Sequence, residues 1–302
     1  MPRSLPPVSS PLSALALISG VRASVRSRAA SEARELLRVA LRARGFGAPT
    51  LFADSGTSAL ALALQLAHQK NGQPVALPAF ACYDIATAAD AAKVPVLLYD
   101  VSPRTLAPDL QSVEAAVALG ARTFVAVHLY GLPVDIISLR ALLPSDSFVI
   151  DDAAQGIGAH LAGQPLGSHG DLGVLSFGRG KGLTGGGGGA LLLNRELGTE
   201  AVELEPLLSL RPGNLRTLAA TVAQWVFARP RVYALPRALP FLSLGETLYH
   251  PPHAPAGISA FSLGVLSQTV RTVDGEQTRR QRAARYYREH LGPLAGLSGS
   301  FG

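Results

Sequence analysis

Lysine is scarce in this sequence. Of the 27 basic residues, only those at positions 70, 93 and 181 are lysines, and the remaining 24 are arginines. An arginine side chain keeps its proton, whereas a lysine amine can lose its proton and act as a nucleophile. Lys181 is therefore a candidate for amine chemistry, and it stands shortly before five consecutive glycines at 185–189.

Cysteine and charge are also in short supply. The single cysteine, Cys82, excludes an internal disulfide framework and a thiolate metal cage, and it fits a reducing compartment. With 302 residues, 48% hydrophobic and 16% charged, the chain has the composition of a well-buried globular protein. We expect a cytoplasmic protein with one large domain, alone or with a smaller one.

Long hydrophobic runs are absent, since no uninterrupted run reaches the ~20 residues that a membrane span needs. Residues 11–24 are apolar but short, and we interpret them as the first segment of the folded protein rather than a signal peptide. Residues 215–245 are apolar but interrupted by arginine and proline. They leave open a helix lying on a membrane surface, although a membrane contact is not the favoured interpretation.

The net charge of +6 suggests an acidic partner. The basic residues are spread along the chain except in residues 271–290, where they recur at helical spacing. We interpret that segment as a solvated helix face and expect no nucleic-acid partner.

Apolar runs and helical patterns alternate between residues 50 and 193. The runs at 74–79, 94–100, 122–131, 147–154, 172–177 and 189–194 predict strands, and 57–69, 83–92, 107–119 and 134–143 predict helices. Several runs are hydrophobic throughout, which is typical of strands covered on both faces. The alternation predicts an α/β fold with a mostly parallel sheet and sites at the carboxyl ends of its strands.

The alternation stops near residue 200, and a helical tail is predicted from Phe261 to His290. We therefore expect an N-terminal helical segment at 1–45, a large domain at 46–200, and a linker with the helical part of a small domain at 201–302. The small domain is expected to be reduced or incomplete.

Polar residues stand at two of the expected strand ends. Ser55, Gly56, Thr57 and Ser58 lead into an apolar helix, where they could cap its amides or hold a phosphate. Asp151, Asp152 and Gln155 follow the run at 147–150. Two carboxylates there could belong to a solvated junction or hold a protonated heterocycle nitrogen. No metal site is predicted, because no histidine or glutamate recurs nearby at ligand spacing.

The segment around Lys181 does not match a nucleotide-binding loop. A Walker A loop requires Ser or Thr after the lysine, where Gly182 stands, and the GxGxxG at 180–185 leads into a strand rather than a helix. The aldehyde of a ligand would be bound by a lysine, and a pyridinium nitrogen would be bound by a carboxylate. A phosphate would be bound by hydroxyls and helix-start amides, to which Ser176 could contribute. Together these features fit pyridoxal phosphate (PLP).

The chain resembles the nucleotide-sugar aminotransferases of the DegT/DnrJ type. The resemblance rests on DSGTSALALAL, LPAFACYDIATAA, HLYGLPVDI, VIDDAAQGIGAH and GSHGDLGVLSFGRGKGLTGGGGGAL, in the family's order across residues 50–195, and on EQTRRQRAARYY further on. It implies the three-layer α/β/α fold of PLP-dependent transferases, fold type I.

The resemblance also implies roles. Lys181 is implied as the Schiff-base lysine and Asp152 as the partner of the pyridine nitrogen. Gln155 is implied near the ring's phenol oxygen, and Gly56, Thr57, Ser58 and Ser176 as the phosphate cradle. Family members that dehydrate sugars carry histidine at the lysine position, so Lys181 favours the aminotransferase branch.

Other positions differ from the family pattern or have two interpretations. Cys82 stands where many members place an aromatic residue over the ring, so either Phe80 or Tyr83 stacks there instead, or the stacking is weaker. His128 and Tyr130 lie at a strand end and could face substrate, although His128 could equally be a core histidine.

The resemblance implies a homodimeric aminotransferase. It would move an amino group by ping-pong chemistry from an amino acid, expected to be glutamate, to a keto-sugar. The sugar is expected to be nucleotide-linked and to serve polysaccharide or glycoside synthesis. The alternatives are a non-catalytic or regulatory relative, and a PLP enzyme acting on amino-acid substrates.

Overall fold

A computed structural model of the chain describes residues 6, 8–195, 204, 206–213, 215–237, 249 and 251–291. Residues 238–245, the end of the interrupted apolar stretch, lie outside these ranges, as does part of the expected C-terminal region. The division of the chain at residues 45 and 200 stays a prediction.

A seven-stranded sheet forms the centre of the described structure. Its strands are β1 (Thr50–Ala53), β2 (Val75–Pro78), β3 (Val96–Tyr99), β4 (Thr123–Val127), β5 (Phe148–Asp152), β8 (Leu172–Ser176) and β9 (Gly189–Leu193). The order is β1-β9-β8-β5-β4-β2-β3, and β6 (His160–Leu161) and β7 (Gln164–Pro165) form a separate hairpin. Strands β3, β2, β4, β5 and β8 are parallel, whereas β9 runs antiparallel to both β8 and β1.

Ten α-helices are described around this sheet. They are α1 (Ala14–Val25), α2 (Ser27–Ala43), α3 (Gly56–Asn71), α4 (Asp84–Ala92), α5 (Leu110–Ala118), α6 (Ile136–Leu142), α7 (Leu215–Phe227), α8 (Pro230–Arg237), α9 (Ala260–Thr269) and α10 (Val273–Leu291). Among the described residues, no helix is both long and apolar enough to cross a membrane.

The strands bury both of their faces, as their continuous apolar runs predict. In β8, Val174 packs in the core with α3 and α4, while the next residue, Leu175, packs on the opposite side with α2 and α9. In β4, Phe124 packs with α5 and α6. Because successive strand residues point to opposite faces, helices cover the sheet on both sides. The predicted three-layer α/β/α fold is confirmed.

The predicted strands and helices are found with small changes at their ends. The short strand β1 was not predicted, and it lies at the sheet edge beside β9. The predicted helical tail is divided by a 3₁₀ turn at Val270–Thr272 into α9 and α10. Helix α9 is buried almost throughout, whereas α10 is exposed over most of its length, so the two parts have different environments.

The N-terminal helix α1 packs against α9 through small residues. A side chain at Gly20 would come within 2.7 Å of the Phe261 ring, which is itself only 1% exposed. Ala16 and Leu17 of α1 join Phe261 and Val265 in a small core cluster. Glycine at position 20 therefore allows the two helices to approach closely.

Candidate active site

A cleft of about 510 Å³ opens at the carboxyl ends of β4, β5 and β8. Six of the predicted site residues line it together: Gly56, Thr57, Asp152, Gln155, Ser176 and Lys181. The cleft thus brings residues from three strand ends, one helix start and one loop to a single place. This is the position at which parallel α/β sheets bind their ligands.

Asp152 forms the floor of the cleft as the last residue of β5. Val127 and Val174 are its partners in the neighbouring strands, and both line the cleft. One carboxylate oxygen, Oδ1, accepts the N–H of Ala154 at 2.9 Å. Burial raises the pKa of Asp152, while that hydrogen bond and the charge of Lys181 oppose the rise. A cation placed against this carboxylate would offset the free-energy cost of burying its negative charge.

The start of helix α3 forms another wall. Ser55 caps the helix, because its Oγ accepts the N–H of Ser58 at 3.0 Å. A Cβ on Gly56 would lie 2.7 Å from the Cβ of Ser176 and 2.8 Å from its hydroxyl. The amides at the beginning of α3 and the Ser176 hydroxyl are therefore close together, as an anion site requires.

Ser58 has a different position from the one expected. Its side chain is 3% exposed, and its Oγ lies 3.0 Å from the Ser55 hydroxyl. It is not among the residues that line the cleft. Ser58 therefore takes part in the helix cap, whereas Gly56 and Thr57 are half-buried and line the cleft.

Lys181 lies on the loop between β8 and β9. Its backbone N–H donates to the Gly178 carbonyl at 3.4 Å, and the adjacent Gly180 N–H donates to the hydroxyl of Ser10 at 3.1 Å. Further along, Gly186 has a φ of +74° and lies against the Thr221 side chain of α7. A residue with a Cβ would be strained there, so the glycine-rich segment lets the loop pass beneath α7.

Gln155 is anchored at the edge of the cleft. Its Oε1 accepts the backbone N–H of Tyr130 at 2.8 Å, which leaves its NH₂ group as a donor for a ligand. The Tyr130 side chain is 74% exposed and does not line the cleft. Tyr130 thus positions Gln155 through its backbone, at a φ of +56°.

Of the two interpretations of His128, its position in the structure agrees with a core histidine. The ring is completely buried, and Nδ1 accepts the Val134 N–H at 2.9 Å. The ring proton is therefore on Nε2, which donates to Asp151 Oδ1 at 2.6 Å. The other Asp151 oxygen accepts the His169 N–H at 2.8 Å. His128 and Asp151 form a closed hydrogen-bonded pair on the face of the sheet away from the cleft.

Neither of the aromatic residues expected to stack on the ring is among the residues that line the cleft. Phe80 is 57% exposed, and the Tyr83 ring lies 6.3 Å from the Tyr249 ring, so their stacking role stays a prediction. The turn after β2 instead brings Cys82 to the wall, with Asp84 beside it. Burial raises the pKa of the Cys82 thiol. The sequence reasoning missed Asp84, which could have been noticed as a carboxylate at the first turn of α4.

These residues fit a ligand with an anionic group, a basic ring nitrogen and a carbonyl. The start of α3 with Ser176 suits the anion, and the buried Asp152 suits the protonated nitrogen. Lys181, on the same cleft, supplies the amine. The three groups are those that PLP requires.

The described fold is that of the PLP-dependent transferases of fold type I, an assignment that solved structures support. The chain is similar to AtS13 from Actinomadura melliaura, with 25% identity and a TM-score of 0.70, over 96% of this chain and 73% of that one. The sequence model of the DegT/DnrJ/EryC1/StrS aminotransferase family matches residues 50–211. The chain belongs to this family.

Curated aminotransferases also match the chain. A UDP-N-acetyl-3-dehydro-alpha-D-glucosamine 3-aminotransferase from Acidithiobacillus ferrooxidans is 36% identical over 143 residues, covering 47% of this chain and 39% of the relative. An L-glutamine:scyllo-inosose aminotransferase from Streptomyces griseus is 29% identical over 242 residues, covering 80% of this chain and 52% of the relative. The chain thus spans about half or less of the length of these relatives.

Proposed function

We propose that this protein is a PLP-dependent aminotransferase that transfers an amino group from an amino acid to a keto-sugar. The observation that carries the proposal is the shared cleft, which Lys181, Asp152 and the start of helix α3 line together. Membership of an aminotransferase family supports the reaction class. Lysine at position 181 supports amino transfer rather than sugar dehydration.

Bound PLP would supply an aldehyde and an electron-withdrawing ring, the chemistry that lets an amino group leave one molecule and join another. The residues of this chain would hold it at three points. The amides of Gly56 and Thr57 with the Ser176 hydroxyl would bind its phosphate, and the Gln155 NH₂ would donate to its phenol oxygen. Lys181 would bond to its aldehyde carbon.

Two side chains would manage the protons. Asp152 would keep a proton on the ring nitrogen, because its buried carboxylate is stabilised by a cation and has few other partners in a low-dielectric setting. The Lys181 amine, once free, would take the proton from the amino acid's α-carbon. It would return a proton to the other carbon that is bonded to the same nitrogen. Both tasks require these groups to share one cleft.

The names of the relatives guide the choice of substrates. Several are glutamine-dependent aminotransferases of keto-inositols, and others are named for nucleotide-sugar products, such as the GDP-perosamine synthase of Vibrio cholerae. We propose glutamate or glutamine as the donor and a nucleotide-linked keto-sugar as the acceptor. A cytoplasmic homodimer remains the expected state of the protein.

The test uses the small number of lysines. The chain loaded with PLP is reduced with borohydride, digested, and searched by mass spectrometry for the PLP adduct. We expect the adduct on Lys181 and not on Lys70 or Lys93. Lys181→Ala should lose the adduct, while the control Lys93→Asn should keep it. An adduct that stays in Lys181→Ala at the wild-type level would contradict the proposal.

Transfer itself is measured separately. Addition of glutamate or glutamine should shift the visible absorbance of the PLP-loaded protein, and a keto-sugar nucleotide should restore it. Retention of PLP on Lys181 with no shift for any amino acid would favour the non-catalytic alternative. A shift that only keto acids reverse would favour an enzyme of amino-acid substrates.

A further inference from the structure

One face of helix α1 is apolar and exposed. Leu15, Ile18, Val21 and Val25 are 60%, 64%, 43% and 73% exposed. They recur every three or four residues and so form one stripe along the helix. The opposite side of α1, with Ala16 and Gly20, is buried against α9. An apolar helix that hides only one side leaves a surface for a further contact.

Helix α7 extends this apolar surface. Leu218, Val222 and Trp225 pack beside the inner residues of α1, and Leu215 at the start of α7 is 79% exposed. Between the two helices runs an open groove of about 990 Å³, lined by Leu17, Ile18, Val21, Arg22, Val25, Arg26, Leu218 and Val222. We call the α1 stripe and this groove the α1–α7 face.

The two segments that form the α1–α7 face contain basic residues but no acidic ones. The first acidic residue of the chain is Glu32, and residues 206–245 contain none. Arg22, Arg26 and Arg216 are exposed beside the apolar side chains. Aliphatic side chains bordered by arginine, without carboxylates in the same segments, have the composition of helices that lie at anionic lipid surfaces.

We propose that the α1–α7 face binds the surface of an anionic phospholipid membrane. Helices α1 and α7 have 12 and 13 residues, fewer than the ~20 that a span requires, so they would lie in the plane of the interface. Their apolar side chains would enter the acyl boundary while Arg22 and Arg26 contact phosphate groups.

A second copy of the chain fits this face less well. Two-fold pairing brings the same patch of both subunits together. Pairing through this face would bring Arg22 and Arg26 of both copies into one interface, to which α1 and α7 contribute no carboxylate. An anionic bilayer satisfies the apolar and the cationic parts of the face at the same time.

The test is flotation of the full PLP-loaded chain with lipid vesicles. Vesicles of phosphatidylglycerol and phosphatidylcholine in equal parts are compared with phosphatidylcholine alone, at low and high salt. We expect binding to the anionic vesicles, weakened by salt, and little binding to the neutral ones. Equal binding to both vesicle types, or binding to neither, would overturn the proposal.

Two pairs of variants locate the contact. Arg22→Gln with Arg26→Gln should weaken binding roughly 25-fold, at about 1 kcal/mol for each arginine near an anionic surface. Ile18→Ser with Val25→Ser should weaken it roughly tenfold for each residue, because both side chains lose burial in the interface. Thermal unfolding of each variant without lipid checks that it is folded.

Matched controls carry the same changes on other parts of the surface. Leu119 and Ile137 are 70% and 72% exposed, and Leu119→Ser with Ile137→Ser should bind like the wild type. Arg42→Gln with Arg104→Gln, at two exposed arginines, should also have little effect. Controls that weaken binding as much as the α1 variants would refute the proposal. So would α1 variants that change the sedimentation mass while vesicle binding stays the same, since that outcome assigns the face to a second copy.

Discussion

Asp151 and Asp152 are adjacent buried carboxylates, yet we expect the substitution of each by asparagine to have opposite effects on the stability of the PLP-free chain. Both oxygens of Asp151 accept hydrogen bonds, from His128 Nε2–H at 2.6 Å and from His169 N–H at 2.8 Å. An asparagine at 151 has only one oxygen, so its NH₂ group must face one of these donors. The other tautomer of His128, with its proton on Nδ1, would not restore the hydrogen bonds, because Nδ1–H and the Val134 N–H would then face each other as two donors.

The cost of Asp151→Asn follows from one lost bond and one buried donor without a partner, about 1–3 kcal/mol. The entropy of unfolding at about 2.1 cal/mol/K per residue amounts to roughly 0.6 kcal/mol/K for 302 residues. We therefore expect the unfolding temperature of Asp151→Asn to fall by about 2–5 °C. The PLP-induced rise in unfolding temperature should persist, because Asp151 does not face the cleft.

Asp152→Asn keeps the hydrogen bond to Ala154, since an asparagine Oδ1 can accept the Ala154 N–H that Asp152 now accepts at 2.9 Å. It also removes a carboxylate whose pKa is raised by burial. A raised pKa means that the folded chain binds the proton more tightly than the unfolded chain. Its stability therefore falls as pH rises from the ordinary value of 3.8 through the raised one. Asp152→Asn should abolish that loss and stabilise the PLP-free chain at neutral pH.

The PLP-bound state should respond in the other direction. Loss of a charge-assisted hydrogen bond, at about 1.5–3 kcal/mol, predicts PLP binding weaker by roughly 10- to 150-fold in Asp152→Asn. Thermal unfolding of both variants and the wild type, with and without PLP across a pH series, measures all of these effects. The reasoning is refuted if Asp152→Asn lowers the unfolding temperature of the PLP-free chain as much as Asp151→Asn does. It is also refuted if PLP stabilises Asp152→Asn as much as wild type.

Four further results are expected. Gly56→Ala should weaken PLP binding and cost about 1–3 kcal/mol in unfolding free energy, because its Cβ would meet Ser176 at 2.7 Å. Gly275→Ala, which has no atom within 4 Å of the new Cβ, should instead gain up to ~1 kcal/mol in denaturant titrations. Phe261→Ala should cost about 3–5 kcal/mol and make α1 susceptible to limited proteolysis, since the ring is 1% exposed between α1 and α9. Cys82 should alkylate more slowly at neutral pH than other exposed cysteines, because partial desolvation at the cleft wall raises the pKa of its thiol, and PLP should slow the labelling further, as mass spectrometry of the single adduct would show.

The sheet was predictable from the sequence because its strands bury both faces and therefore appear as uninterrupted apolar runs. β5 and β8 end within two residues of the predicted boundaries. β1 was missed because it has only four residues and lies at the sheet edge. The helical tail was predicted as one unit, since the 3₁₀ turn at Val270–Thr272 lies between two segments with helical patterns.

The different environments of Asp151 and Asp152 were also contained in the sequence, although the motif alone does not separate them. Phe148 and Ile150 pack with α3, and Val149 packs with α5 and α6. Continued alternation places Asp152 on the α3 side and Asp151 on the other. The same period carries Val127 towards α3 and His128 away from it. His128 follows Val127 directly, so the alternation predicts that its side chain is buried on the other face of the sheet.

No such period extends into the turns, where the roles expected of individual residues stay predictions. Phe80, Cys82 and Tyr83 lie between the end of β2 and the start of α4, so their side-chain directions cannot be counted from the strand. Ser58 illustrates a second difficulty, because a hydroxyl in the first turn of a helix can bind either a ligand or the cap. In the structure Ser58 takes part in the helix cap, because the Ser55 Oγ lies 3.0 Å from both the hydroxyl and the backbone nitrogen of Ser58. Position along a strand is thus encoded by a regular alternation, whereas position within a turn depends on contacts that form only when the chain has folded.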